Sequence, residues 1–214
     1  MPDEPPTGPP VGVDVGLTCW AATSDGRIFT RPKNEESAER RLKRMQRKLA
    51  RQVKGSGRRK DTVQRLARMH ERLFNIRQEA RHSMTASITG RHEDAANRPA
   101  AICLEDLNVA GMHKNHRLAR HLSQAGLTEI SRQIEYKASW LGIITHKADR
   151  WFPSTKRCNR CGHTKRDMSL GERTYVCEEC GFEIHRDVHA ARNILDECMK
   201  KANTPGPGEV KAHG

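Results

Sequence analysis

Cys158-Asn159-Arg160-Cys161-Gly162, answered by Cys177-Glu178-Glu179-Cys180-Gly181 and followed closely by Arg186-Asp187-Val188-His189-Ala190-Ala191-Arg192-Asn193, organises this chain. Fifteen residues separate Cys161 from Cys177, a spacing at which two thiolate pairs can meet around one metal ion. Four sulfur ligands from Cys158, Cys161, Cys177 and Cys180 suit zinc, tetrahedral and with no open position, so such an ion builds structure and does no chemistry. Gly162 and Gly181 stand directly after each second cysteine, where a tight turn needs positive φ. Two disulfides or a redox pair are the competing uses. No signal peptide is visible and Cys19, Cys103 and Cys198 fall in no pattern, which points to a reducing, cytoplasmic setting.

Charge supplies the next constraint. The 214 residues carry a formal net charge of +13, which attracts polyanions, nucleic acid foremost. No apolar run is long enough to span a membrane. Arg40 to Lys54 contains eight Lys or Arg and no acid, and Arg58-Arg59-Lys60 follow. Arg40, Arg41, Lys43, Arg44, Arg47, Lys48, Arg51, Lys54, Arg58, Arg59 and Lys60 are therefore the expected phosphate contacts, although a merely solvated helix face would look the same. Lys156, Arg157, Arg160, Lys165 and Arg166 form a second candidate surface.

Along the chain, residues 1–10 are proline-rich and read as a disordered tail, as do residues 200–214. Val11 to Leu17 alternates at period two, as a strand does, and Thr18–Ala22 and Arg27–Thr30 continue an antiparallel meander through the turn Ser24-Asp25-Gly26. From about 35 to 89 the period becomes helical. Leu42, Met45, Leu49 and Val53 mark one stripe; Val63, Leu66, His70, Leu73, Arg77, Ala80 and Met84 mark another. Lys54-Gly55-Ser56-Gly57 breaks them into a hairpin. Pro99–Leu104 reads as a buried parallel strand. A loop with Asn108, Gly111 and Asn115 then leads to helices near His116–Ser123 and Thr128–Leu141. Gly142–Thr145 reads as a core strand, the cysteine knuckles occupy 154–185, and a last helix spans 186–199. Tyr136, Trp140 and Trp151 lie beside apolar segments and are expected in the core.

Three acids complete the pattern. Asp14 sits between Gly12 and Gly16 in an apolar strand, where an uncompensated carboxylate costs several kcal/mol. The flanking glycines would leave the backbone open to a ligand. Glu105 closes a strand at its carboxyl end, where α/β sheets tend to place site residues. Its neighbour Asp106 points to the other face, so only one of the two can join Asp14. Asp187 opens the final helix. A local hydrogen bond or arginine would explain Asp14 alone, and helix capping would explain Asp187 alone; it is the three together that suit Mg²⁺ or Mn²⁺ and two-metal phosphodiester hydrolysis.

Five ordered blocks carry a resemblance. They are Gly12-Val13-Asp14-Val15-Gly16, Glu105-Asp106-Leu107-Asn108-Val109-Ala110-Gly111-Met112, Glu135-Tyr136-Lys137-Ala138, Phe152-Pro153-Ser154-Thr155-Lys156-Arg157-Cys158, and Arg186-Asp187 with Ala190-Ala191-Arg192-Asn193-Ile194-Leu195. Over roughly 11–199 they resemble the TnpB (OrfB) proteins of bacterial insertion sequences and the nuclease half of type V CRISPR effectors. That resemblance implies an α/β, RNase H-like (RuvC-like) mixed sheet of strand order 3-2-1-4-5, flanked by helices. The nuclease domain would span 11–153, with an inserted basic helical hairpin and a zinc ribbon at 154–185. It implies a catalytic trio of Asp14, Glu105 and Asp187, with Glu105 the ligand and not Asp106. It also implies metal-dependent DNA cleavage guided by RNA, with DNA and guide RNA as partners. Two departures stand out. His189 occupies a position where the family commonly has Asn, which is expected to alter a contact lining the site. The family's large amino-terminal region is replaced here by ten residues, so the parts that hold the guide and read the flanking motif are expected to be missing. The alternatives are a non-cleaving nucleic-acid-binding remnant or regulator, and a DDE-type transposase. The ribbon between the second and third acids disfavours the transposase.

Overall fold

The computed structural model describes residues 4–203 apart from residues 115 and 170. Two compact units emerge, Met1–Phe29 with Thr85–Gly214, and Thr30–Met84.

The first unit is built on a five-stranded mixed sheet of order β3-β2-β1-β4-β5. Its strands are β1 (Val11–Asp14), β2 (Cys19–Thr23), β3 (Ile28–Thr30), β4 (Ala101–Glu105) and β5 (Ile144–Ala148). β1 runs antiparallel to β2 and parallel to β4, and β4 runs parallel to β5. A parallel pair needs a long crossover. Between β4 and β5 the chain supplies one in α3 (Val109–His113), α4 (His116–Ala125) and α5 (Leu127–Trp140). The last helix, α6 (Arg186–Asn203), packs on β1, β2, β4 and β5.

Period-two alternation fixes which side chains α6 meets. Cys103 clusters with Ile194 and Cys198 of α6, and a Cβ on Gly12 would collide with the Ala191 carbonyl oxygen. Gly12 is therefore needed for close approach of this helix; the space beside it is filled by protein and is not open to a ligand. Asp14 lies two residues beyond Gly12, and Glu105 two beyond Cys103. Both acids thus leave their strands on the face that α6 covers. Val11 and Val13 are buried on the other side of β1, and Val15 just beyond it is buried too.

Several sequence expectations need correction here. Asp14 is the last residue of β1, not its middle. Residues 6–10 are not a tail. Pro6 and Gly8 are buried, the Gly8 amide donates to Arg98 O at 2.8 Å, and the Ala100 amide donates to Gly8 O at 2.9 Å. A proline-rich segment builds no element of its own, yet here the chain entering β4 supplies its hydrogen-bond partners. Residues 1–3 and 204–214, parts of the two expected tails, lie outside the described residues, and 200–203 continue α6. β5 begins at Ile144, because Gly142 turns the chain at φ 70°; it is an edge strand with most side chains exposed. Trp140 and Trp151 are 64% and 87% exposed, so neither belongs to the core.

The second unit holds α1 (Lys33–Ala50) and most of α2 (Gly57–Ile88). Arg77 of α2 pairs with Glu35 and Glu39 near the start of α1, at 2.7 and 2.5 Å. Arg59, at the start of α2, donates to the Leu49 carbonyl at the end of α1, at 2.6 Å. These contacts make the hairpin antiparallel. Arg59 thereby caps the C-terminus of α1, whose last carbonyls lack helical partners. Leu42, Thr62 and Leu73 are buried, whereas Val53 and Val63 are exposed. The inward stripe of α2 thus starts one residue earlier than the apolar pattern suggests.

Candidate active site and cysteine cluster

Asp14, Glu105 and Asp187 arrive from three elements at the carboxyl ends of the inner strands β1 and β4. β1 and β4 run parallel with Val13 opposite Leu104, so the next residues, Asp14 and Glu105, close their strands side by side. Asp187 lies in the first turn of α6 and is buried. Burial pushes the Asp14 carboxyl up to about 7, and the neighbouring charges of Glu105 and Asp187 add to that shift. Glu105 is also raised, by burial first and then by Asp106. The counter-charge on hand is Arg186, whose Nε lies 3.1 Å from Asp187 Oδ1 and which lowers Asp14. Asp106 is engaged elsewhere, its carboxylate accepting from Arg150 Nη2 at 2.7 Å.

Three residues beside these acids take roles that the sequence does not show, Arg186 among them although it belongs to a motif block. His185 Nδ1 accepts from the Asp187 amide at 3.3 Å, so His185 occupies the capping role that the sequence left open for Asp187. Arg186 tethers Asp187 as described. Cys19 is buried, and its thiol donates to Ala21 O and Phe29 O. Burial, then the charge of Asp187, pushes it up to about 11, so it is a neutral donor and no nucleophile. Each depends on tertiary neighbours; only the turn of β7 (Glu183–His185) into α6 brings His185 to its place.

The four knuckle cysteines meet closely. Their Sγ atoms all lie within 4.8 Å of one another, with Cys158 and Cys180 at 3.8 Å and Cys161 and Cys177 at 3.6 Å. A tetrahedral site with metal–sulfur bonds of about 2.3 Å sets its sulfurs about 3.8 Å apart, so the cluster fits zinc. Both knuckles use one backbone pattern. The Cys158 amide donates to His163 O and the Gly162 amide to Cys158 O; the Cys177 amide donates to Phe182 O and the Gly181 amide to Cys177 O. Gly162 and Gly181 take φ of 78° and 65°, as the sequence required.

The knuckle unit is fastened to α6. Asn193 Nδ2 donates to the carbonyls of Ser154 and Arg157, both at 2.6 Å, and Asn193 Oδ1 accepts from Asn159. Tyr175 of β6 (Thr174–Val176) stacks on His189 with centroids 3.8 Å apart, and both rings are fully buried. His189 accordingly faces the cysteine unit, not the acids, and the contact expected to line the site is a packing contact. Lys156 and Lys165 are occupied within the unit, by Arg166 O and Glu172, which leaves Arg160 and Arg166 as the exposed cations of the second candidate surface. On the hairpin, Arg40 pairs with Glu36 at 2.8 Å, while Arg41, Lys43, Arg44, Arg47, Lys48, Arg51, Lys54, Arg58 and Lys60 are exposed or partly so.

A family model described as a probable transposase, OrfB of the IS605 type, matches residues 2–116, and a Cas12f1-like TNB domain model matches residues 128–194. The chain belongs to the TnpB (OrfB) family. One relative in Streptomyces pristinaespiralis, provisionally named an RNA-guided DNA endonuclease, is 37% identical over 191 residues, 89% of this chain and 46% of its own length. InsQ of Escherichia coli K12, named in the same provisional way, is 31% identical over 205 residues, 89% of this chain and 49% of its own. The chain thus spans about half the length of these TnpB relatives. A Cas12f1 structure in complex with guide RNA and target DNA shares the fold over 86% of this chain and 48% of its own, with a TM-score of 0.63 and 18% identity. Among the described residues of this TnpB member, no helix is long and apolar enough to cross a membrane.

Proposed function

We propose that this chain is the cutting part of an RNA-guided DNA endonuclease: an RNase H-like (RuvC-like) domain that hydrolyses phosphodiesters with Asp14, Glu105 and Asp187. The supporting observation is the Asp14 carboxyl at the end of β1, pushed up to about 7 by burial and then by the charges of Glu105 at the end of β4 and Asp187 at the start of α6. Such a group of acids in a partly buried setting holds more negative charge than its surroundings offset. Hard oxygen donors with that excess fit Mg²⁺ or Mn²⁺. When bound, two such ions supply the electrostatic part of the reaction, making water acidic and offsetting charge at the departing oxygen.

The protein's own groups set the stage for this. Asp14 and Glu105 are held by paired strands, and the positive end of the α6 dipole favours the Asp187 anion. Arg186 fixes the orientation of Asp187. Cys158, Cys161, Cys177 and Cys180 would hold zinc, and through Asn193 and Tyr175 the ribbon braces the helix that carries Asp187. DNA is the proposed substrate and RNA the proposed guide, in keeping with what the relatives are named for.

The test is cleavage of single-stranded DNA by the purified chain in Mg²⁺ or Mn²⁺ and in EDTA. Cutting should require the metal. Asp14→Ala, Glu105→Gln and Asp187→Ala should each slow it by about a hundredfold or more while DNA binding is kept. Unchanged metal-dependent activity in Asp14→Ala would refute the assignment. Binding without cutting by the wild-type chain would favour the non-cleaving nucleic-acid binder.

A further inference from the structure

We infer that Trp151 is a stacking platform for a base of single-stranded DNA beside the acids; this rests on the nuclease reading above. Trp151 is 87% exposed, whereas Trp20 is 1% exposed. An indole buries a large apolar area when it can, so one left in water is available for a partner. Trp140 is also exposed, but it packs on Tyr136 with centroids 4.6 Å apart, and Arg132 covers that tyrosine. Among the described residues no ring packs on Trp151.

Its position follows from the register. Ala148 of β5 lies opposite Glu105 of β4 and the two strands are parallel, so the chain leaving β5 passes the carboxyl end of the sheet where the acids gather. Trp151 comes three residues later, within about 10 Å along the chain. The turn is anchored there. Arg150 Nη2 and Nε donate to the carboxylate and carbonyl of Asp106, at 2.7 and 3.4 Å, and Asp106 directly follows Glu105. The Trp151 amide donates to Asp149 Oδ1 at 2.8 Å, and the Phe152 amide to Asp149 O at 3.1 Å. The indole is thus presented on a fixed turn within a few nucleotides of a phosphate lying at the acids. A base is the occupant that the surroundings favour. The chain carries +13, and every base offers a π-face to an aromatic side chain whatever its sequence.

Binding of a labelled oligothymidylate to the full chain in EDTA tests this without any need for cutting. Trp151→Ala should weaken affinity about tenfold; Trp151→Phe should restore most of it, and Trp151→Leu should not. In a Trp140→Phe background the oligonucleotide should quench indole fluorescence, and the quenching should vanish with Trp151→Phe. Equal affinity of wild type and Trp151→Ala, or rescue by Leu as good as by Phe, overturns the inference. Failure of this inference alone would leave a metal-dependent enzyme indifferent to Trp151. Failure of the nuclease reading alone would leave stacking intact and no cleavage.

Discussion

Asp14 concentrates the chemistry of this protein in one titration. Its carboxyl is raised from 3.8 to about 7, by burial first and then by Glu105 and Asp187. In metal-free protein the folded state therefore holds a proton, between those two values, that the unfolded chain releases. Stability contributed in this way is present below about pH 4 and is lost as pH rises through about 7. Asp14→Asn carries no such charge. In EDTA the variant and wild type should melt together only below about pH 4; the gap should open as pH rises from about 4 to 7, with the variant melting higher by several degrees at pH 8. Mg²⁺ should narrow that gap, because the cation offsets the charge. A gap that ignores pH would show that Asp14 is not the strained group. At this scale the nearness of the acids is legible only from their joint placement along the chain, since a local hydrogen bond or an arginine would explain Asp14 alone. Gly12 is not, because sequence gives the absence of a side chain but not what fills the space. His189 misleads for the same reason: its position two residues from Asp187 says nothing of the tyrosine stacked upon it.

Among the elements, α6 has the widest reach, since it meets four strands and the ribbon and carries Asp187 on its first turn. Asn193 is its clamp. Asn193→Ala leaves the Ser154 and Arg157 carbonyls without their donor, a loss of about 1–3 kcal/mol. The variant should keep one zinc per chain while Asp187 loses its brace and cleavage falls. Cys158→Ser, by contrast, should lose zinc and cleavage together. Metal analysis alongside activity separates the two, and an Asn193→Ala enzyme of full activity would contradict the bracing role. The ribbon is the most legible element, because cysteine spacing is a covalent fact of the chain. The helices are legible but their faces are not, as Val63 shows: in a helix this polar, ion pairs such as Arg77 with Glu35 and Glu39 set the inward side. β5 reads as a core strand because an apolar run at a sheet edge looks like one at its centre.

Across the whole molecule the +13 charge becomes a surface. Exposed Arg44, Arg47 and Lys48 of α1, with exposed Arg51 just after its end, are the cations to test. Replacing all four with Gln should weaken DNA or RNA binding and flatten its salt dependence, each lost phosphate contact taking about 0.7–0.9 from the log–log slope. An unaltered slope would make them a solvated face. The strand order and the family are both legible, because five motif blocks occur in a fixed sequence along the chain. The exposure of Trp140 and Trp151 is not, since an indole beside an apolar strand reads as core unless the edge of the sheet is known. Everything in the nuclease reading returns to a shared cation site at the carboxyl ends of β1 and β4. Crystals grown with Mn²⁺ and measured at its absorption edge address it most directly. The expected result is anomalous density among Asp14, Glu105 and Asp187 that disappears in Asp14→Ala; manganese bound elsewhere, or at that site regardless of Asp14, would contradict it.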